Sequence, residues 1–322
     1  MLDEPLADRQ ACNRCGLCLY GCDRGSIYAS ALELPALARH ANFSYRSGHL
    51  VRAVEATGDG HSLRIETRSG PASMSAACVV LAAGTIATTG LALSRLEYFG
   101  QPVRLLSNPA AATAFVVPRL VGIDTPEEAF GLGQVFYRLD DAAGVLYGAD
   151  TLPLDMLAAR LPVGRPFALR VARALAPALL LATCYRPGAS SRNTLTATTL
   201  SGMTRLAIRG ETTRETRDRL RADLSRLRGG LRRLGAMPLP GSTAILEPGA
   251  DAHYAGSLPM GGGGATATTA SGELSRAPGL YVVDGAALPS LPASHPTLTI
   301  MANADRIGRA LARRLLSGER PQ

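Results

Sequence analysis

The pattern of apolar and polar residues predicts strands and a tight turn in the first third of the chain. The pattern of residues 49–55 and 62–67 predicts two strands, and the Asp59-Gly60 pair between them favours a hairpin turn. Residues 77–81 then form a continuous apolar run that ends at Gly84 and is followed by a helical pattern. A Val-rich run of this kind predicts a buried strand that leads into a helix.

The middle of the chain, residues 106–245, has a different pattern. Short apolar segments separated by polar turns predict strands at residues 114–117, 133–139 and 180–185. Leucines at spacings of four and three predict a helix over residues 214–234, with an arginine-rich outer face. These features are typical of an antiparallel sheet covered by helices.

From residue 246 onward the first pattern returns. Residues 280–284 predict a second buried strand, which ends in Asp284, and a helical pattern continues through Leu315. We therefore predict an α/β fold (α+β overall) with two domains. The predicted domains are residues 1–105 together with 246–322, and residues 106–245.

Composition and charge exclude several classes of function. The chain has 322 residues and a net charge of +8, and all 34 basic residues are arginines. They are scattered rather than interleaved with aromatic residues, which argues against nucleic acid as a partner. No basic segment followed by an apolar run occurs at the start, and the most apolar stretch, residues 167–185, contains arginines. We expect a cytoplasmic protein without a membrane span, and nothing favours peripheral membrane contact.

Four cysteines near the start have the spacing C-x2-C-x2-C-x3-C, which is typical of bacterial iron–sulfur ligands. They are Cys12, Cys15, Cys18 and Cys22. Asp23 stands where proline usually follows, and there is no second run of four cysteines. On a helix the four residues would lie on one face and could simply pack. An iron–sulfur cluster and a packed, redox-inert set both stay open, and we favour the packed set.

Two of the five histidines lie in Gly- and Pro-rich loops beside buried elements, where functional side chains often occur. The first loop begins at His253. The second, residues 294–299, contains His295, Pro296 and Thr297. We expect Pro296 to begin the last helix, with threonines of this loop as caps. The amino end of a helix favours negative charge, so this loop is a candidate site for an anionic group.

These segments resemble a known family. Residues 280–309, with a strand, an Asp, a Pro-rich turn, His-Pro and a helix, resemble the C-terminal signature of the glucose–methanol–choline (GMC) flavin oxidoreductases. The loop at His253 resembles the family's first catalytic loop, and residues 79–94 resemble the strand and turn beneath the adenosine of FAD. The resemblance implies an incomplete, Rossmann-like FAD-binding domain and an antiparallel-sheet substrate domain.

The resemblance also implies an activity and a set of site residues. An alcohol or sugar hydroxyl would be oxidised by hydride transfer to FAD, with His253 as the base and His295 as its partner. The positions implied for binding the cofactor are Val51, Gly84, Asp284, Gly285, Pro296 and Thr297.

One motif of the family is missing from the sequence. Nothing in it matches a strand followed by GxGxxG, which cradles the FAD pyrophosphate at a helix start. We therefore expect a split or truncated enzyme that acts on a small-molecule alcohol. We expect its partner to be a second polypeptide that carries the GxGxxG half, or another copy of this chain, in a homo-oligomer, that covers the exposed edge of the sheet. The alternatives are a flavin-free relative, serving as a scaffold, binding subunit or acid–base catalyst, and an electron-transfer subunit built on the four cysteines.

Overall fold

The computed structural model describes residues 1–58, 60–124, 131, 133–151, 154–250 and 253–318. Its helices are α1 (Leu34–Leu37), α2 (Thr85–Arg95), α3 (Leu154–Ala158), α4 (Arg165–Leu175), α5 (Arg214–Arg233) and α6 (Thr297–Leu316). Its strands are β1 (Leu50–Thr57), β2 (Gly60–Thr67), β3 (Gly70–Ala76), β4 (Val79–Leu81), β5 (Pro102–Arg104), β6 (Leu106–Ser107), β7 (Ala110–Val116), β8 (Val135–Leu139), β9 (Ala142–Gly148), β10 (Leu179–Tyr185), β11 (Thr194–Leu200), β12 (Met203–Arg209), β13 (Met237–Pro238), β14 (Ala244–Ile245), β15 (Tyr254–Ala255) and β16 (Leu280–Val282). The predicted α/β class with antiparallel sheets is confirmed.

The chain divides into two compact units. Unit 1 contains residues 1–46, 111–184 and 221–245, and unit 2 contains residues 47–110, 185–220 and the chain from 246 on. This division differs from the predicted domains, because residues 1–46 group with unit 1 and residues 185–220 with unit 2. Pairing explains the second difference: β11 and β12 form a hairpin whose first strand also pairs with β5.

Unit 1 is built mainly on one sheet. Its strands follow the order β13-β7-β10-β9-β8, and β14 also pairs with β7. Phe115 of β7 and Cys184 of β10 are fully buried. Three leucines of α5, at positions 224, 227 and 231, are buried at helical spacing, which confirms the amphipathic helix predicted from the leucine pattern.

Unit 2 contains the two predicted Val-rich strands. They pair in parallel, with Val79 opposite Leu280 and Leu81 opposite Val282. Helix α2 follows β4 through the predicted turn at Gly84, which has a φ of +84° and is the N-cap residue. Leu93 of this helix lies in one core cluster with both strands. The predicted hairpin is confirmed as β1 and β2, which β3 extends to a three-stranded antiparallel sheet. Asp59 of the predicted turn lies outside the described residues.

The last helix begins one residue later than expected. Pro296 is the N-cap residue, Thr297 is the first helical residue, and among the described residues no side chain caps this end of the helix. The prediction that threonines cap this end is therefore wrong. The backbone of Pro296 already has helical angles, and its carbonyl accepts a hydrogen bond from the amide of Ile300. Among the described residues no helix is both long enough and apolar enough to cross a membrane.

A buried histidine joins the hairpin sheet to the rest of unit 2. His61 of β2 is only 2% exposed, and neither ring nitrogen has a hydrogen-bond partner of normal geometry among the residues that the structure describes. A side chain at Gly279 would lie 2.9 Å from its Nε2 atom, so the ring packs directly on backbone. Burial, followed by the positive charge of Arg95, lowers the pKa of His61 below 6.5.

This burial predicts a loss of stability in acid. Because the folded-state pKa of His61 is depressed, the unfolded chain binds more protons below pH 6.5 and unfolding becomes more favourable there. The stability is fully present above the unfolded-state pKa and is lost as the pH falls through it. We expect the free energy of unfolding, measured by denaturant titration, to fall less steeply with decreasing pH in His61→Leu. The exposed residue His40 supplies the control variant, His40→Leu. Equal slopes in His61→Leu and the parent chain would contradict the prediction.

Candidate active site

A buried carboxylate fixes the turn that follows β16. Asp284 is 8% exposed, and its Oδ2 atom accepts a hydrogen bond from the Thr88 hydroxyl at 2.5 Å. Its Oδ1 atom accepts from the amide of Ala286 at 2.9 Å. Burial raises the pKa of Asp284, and these hydrogen bonds, with one from the amide of Gly84, oppose that rise. The side chain therefore ties the start of α2 to the turn at residues 285–287.

The loop that carries His253 lies along this turn. The amides of Gly256, Leu258 and Met260 donate to the carbonyls of residues 285–287, at 2.9–3.0 Å. A side chain at Gly285 would come within 2.6 Å of the Tyr254 carbonyl oxygen, so this approach requires glycine.

Two side chains of α2 hold the same loop. The Thr85 hydroxyl donates to the Tyr254 carbonyl at 2.8 Å, and the hydroxyls of Thr89 and Ser257 share a hydrogen bond of 2.5 Å. The loop that begins at His253 is thereby fixed on a helix as well as on a turn.

The pairing of two short strands places an asparagine against His253. In β6 and β15, Ser107 lies opposite Tyr254, so the next residues outward are Asn108 and His253. The His253 Nδ1 atom lies 3.2 Å from the Asn108 Oδ1 atom. Asn108 is 1% exposed and was not predicted as a site residue. Its only signal in the sequence is a polar residue between an apolar segment and Pro109.

The structure brings the two predicted histidines together. The ring centroids of His253 and His295 are 5.4 Å apart and their planes are nearly perpendicular. His253 is half-buried, whereas His295 is exposed immediately before α6. The Tyr185 ring lies 5.7 Å from His253 and 6.4 Å from His295, which completes an aromatic group of three. Tyr185 was missed as a site residue, although it ends a predicted strand just before a Pro-Gly turn.

The electrostatics of this group favour a neutral imidazole. Burial, and then electrostatic repulsion between the two imidazoles, lower the pKa of His253 below the ordinary value of 6.5. At neutral pH the ring therefore has a free lone pair and can accept a proton. An imidazole in this state is suited to act as a general base.

The residues implied for cofactor binding fit FAD in part. Ala82, Ala83 and Gly84 are exposed beyond the carboxyl end of β4, and a side chain at Gly84 would meet no atom within 4 Å. Nucleotides bind outside the carboxyl ends of parallel strands, so this surface fits one. Thr297 is exposed, Pro296 is buried and Val51 packs on the core cluster of unit 2. Asp284 and Gly285 are engaged within the fold.

The four cysteines near the start are not arranged on a helix. Only residues 18–20 form a short helical turn there, so the common face that a helix would give the four cysteines does not form. All four line one small cleft with room for about 20 Å³, and all are free thiols. Hydrogen bonds from the backbone, led by that of Ile27, lower the pKa of Cys22. Within the described ranges no group of Cys, His, Asp or Glu residues could hold a metal ion.

Comparisons with known proteins give one family model and two similar proteins. Residues 188–304 match a family model described as GMC oxidoreductase. Over 100 residues, 30% of this chain, the sequence is 35% identical to C-glycoside 3-oxidase from Microbacterium trichothecenolyticum, and the match covers 19% of that protein. The crystal structure of pyridoxine 4-oxidase from Mesorbium loti aligns with a TM-score of 0.61 at 16% identity, covering 90% of this chain and 61% of that one. The chain thus spans less than two thirds of either relative.

The buried carboxylate at position 284 predicts the effect of removing its hydroxyl donor. We expect Thr88→Val to destabilise the protein by roughly 1–3 kcal/mol, because a buried charged group loses a hydrogen bond while the shape of the side chain is kept. Thr198→Val, at an exposed position of β11, should change the free energy of unfolding by less than about 0.5 kcal/mol. Denaturant unfolding measures both, and equal values for the two variants would show that Asp284 does not depend on Thr88.

Proposed function

We propose that the protein oxidises an alcohol or sugar hydroxyl with His253 as the base. The premise is that residues 188–304 match the family model of the GMC oxidoreductases, as the sequence resemblance predicted. The observation that carries the proposal is the pair of imidazoles whose ring centroids lie 5.4 Å apart at the start of α6. Two proton-accepting side chains at one point suit a reaction that removes a proton from oxygen.

The chemistry divides between the cofactor and the side chains. FAD, when bound, supplies the acceptor for the hydride that leaves the alcohol carbon. His253 accepts the hydroxyl proton, so that the C–OH group loses one proton and one hydride and becomes a carbonyl. Its lowered pKa keeps the imidazole neutral before this step.

The neighbouring groups orient the substrate and favour the products. His295 hydrogen-bonds the substrate oxygen beside His253, and the Tyr185 ring forms an apolar wall next to both imidazoles. The first-turn amides of α6 follow His295 directly and make this end of the helix partially positive. That end of the helix would therefore stabilise a negative charge on a flavin bound beside it.

We propose that FAD also needs residues that this sequence does not contain. The chain offers Val51, Gly84, Asp284, Gly285, Pro296 and Thr297 as cofactor-binding positions. It has no GxGxxG motif after a strand, so the pyrophosphate cradle has to come from elsewhere. A second polypeptide with that motif is the partner we favour.

We expect His253→Ala to lower kcat by at least about a hundredfold in the FAD-loaded protein, the usual contribution of a general base. The control is His49→Ala, at an exposed position before β1. Suitable probes are C-glycosides, pyridoxine, simple sugars and alcohols, with a redox dye as acceptor. In the pH profile of kcat/KM, the midpoint of the decrease on the acid side should lie below pH 6.5, because His253 is protonated, and lost as a base, only below its lowered pKa. An unchanged rate in His253→Ala would assign proton removal to another group.

The partner proposal predicts the flavin content of the purified protein. The chain alone should retain little FAD after gel filtration, and co-purification with a polypeptide that carries a strand and GxGxxG should give stoichiometric FAD by absorbance. Stoichiometric FAD on the lone chain would refute the need for a partner. A protein that stays colourless in both preparations would favour the flavin-free alternative.

A further inference from the structure

The contacts of Asn108 lead to an inference that rests on the proposed function and makes it more specific. We infer that Asn108 is a positioning residue that holds the proton of neutral His253 on Nδ1, so that Nε2 is the atom that accepts the substrate proton. The inference depends on three observations: the orientation of the amide, the position of the imidazole, and the burial of both partners.

The orientation of the Asn108 amide is fixed by two carbonyl groups. Its Nδ2 atom donates to the Arg186 carbonyl oxygen at 2.8 Å and to the Pro292 carbonyl oxygen at 2.9 Å. Both amide hydrogens are therefore used. A flipped amide would place Oδ1 against two other acceptors and lose both hydrogen bonds, so the oxygen must be the atom that faces His253.

The fixed oxygen determines the tautomer of the imidazole. Asn108 Oδ1 carries no hydrogen, so a hydrogen bond across the 3.2 Å to His253 Nδ1 requires the proton to be on Nδ1. A neutral imidazole has one protonated nitrogen, which leaves a lone pair on Nε2. The opposite tautomer, with the proton on Nε2, is the one that free histidine favours in water. Here it would place the lone pair of His253 Nδ1 against a lone pair of Asn108 Oδ1, beside a fully buried amide.

The same contact supports the ring after it has accepted a proton. In the imidazolium form Nδ1 still carries its hydrogen, so the bond to Asn108 is kept through the reaction. Asn108 also contacts the segment before His295 through the Pro292 carbonyl. The residue thus orients one imidazole and anchors the chain that carries the other.

The tautomer can be measured directly in the full chain without cofactor. In protein labelled with ¹⁵N-histidine, at a pH above the pKa of imidazole, the His253 signals are identified by their loss in His253→Gln. We expect a protonated Nδ1 and an unprotonated Nε2, with the opposite tautomer at least about tenfold less populated, as the loss of one buried hydrogen bond implies. A protonated Nε2 in the unsubstituted chain overturns the inference and requires no variant.

Variants distinguish the loss of the hydrogen bond to His253 from a general loss of packing around Asn108. Asn108→Leu should shift the ring toward the Nε2-protonated form, and Asn108→Asp, which keeps an acceptor for Nδ1, should restore the original tautomer. The matched control is Asn193→Leu. Asn193 is buried and donates to the Ser107 hydroxyl, one residue before Asn108, and it should leave the tautomer unchanged. If Asn108→Leu leaves the tautomer unchanged, the positioning role is wrong.

Kinetics distinguishes this inference from the proposed function. In an active, FAD-loaded protein, Asn108→Leu should lower kcat about tenfold to a hundredfold, with a smaller effect on KM, because the base presents the wrong nitrogen. If the tautomer behaves as expected but no hydroxyl is oxidised, the proposed function fails and the inference stands. If oxidation requires His253 but Asn108→Leu changes neither tautomer nor kcat, the inference fails and the function stands.

Discussion

The candidate site depends on the burial of one carboxylate. A charged oxygen pair removed from water is costly unless donors surround it, and Asp284 meets this requirement with the Thr88 hydroxyl and the amides of Ala286 and Gly84. Those donors belong to the start of α2 and to the turn after β16. Because both are tied to the same side chain, the two parallel strands, the helix and the turn have one relative arrangement. The loop that begins at the first imidazole, His253, then lies on that turn.

The chemistry arises from what this arrangement leaves free. The turn uses the polar groups of Asp284 and Gly285 internally, so the accessible proton acceptors are the two imidazoles, placed where the first-turn amides of α6 begin. Burying one imidazole beside the other keeps it neutral, and an amide that cannot flip determines which of its nitrogens is free. The proposed base is therefore one defined nitrogen atom of one neutral imidazole.

Much of the fold could be predicted because long-range burial leaves a local pattern. Because the strands β4 and β16 and one face of α5 are buried, their side chains are apolar, and this shows in the sequence as Val-rich runs and regularly spaced leucines. The loops that contain the two histidines are recognisable beside these apolar segments. Asn108 and Tyr185 could not be identified in this way. Asn108 meets a residue 145 positions away through strands of two residues, too short to show any periodicity. The arrangement of the four cysteines could not be predicted from their spacing. The spacing fits one face of a helix, but Gly16 and Gly21 among them have positive φ angles and only a short helical turn forms.

Hydrogen bonds of the Asn108 side chain connect three segments that are far apart in sequence: the residue after β10, the loop that begins at His253, and the stretch before His295. Segments that share one buried amide open together, since releasing any one of them exposes the same unsatisfied group. In hydrogen-exchange terms, these three segments form one cooperative unit with a common opening free energy. Any ligand that binds the two imidazoles would then slow amide exchange in all three segments, including the end of β10.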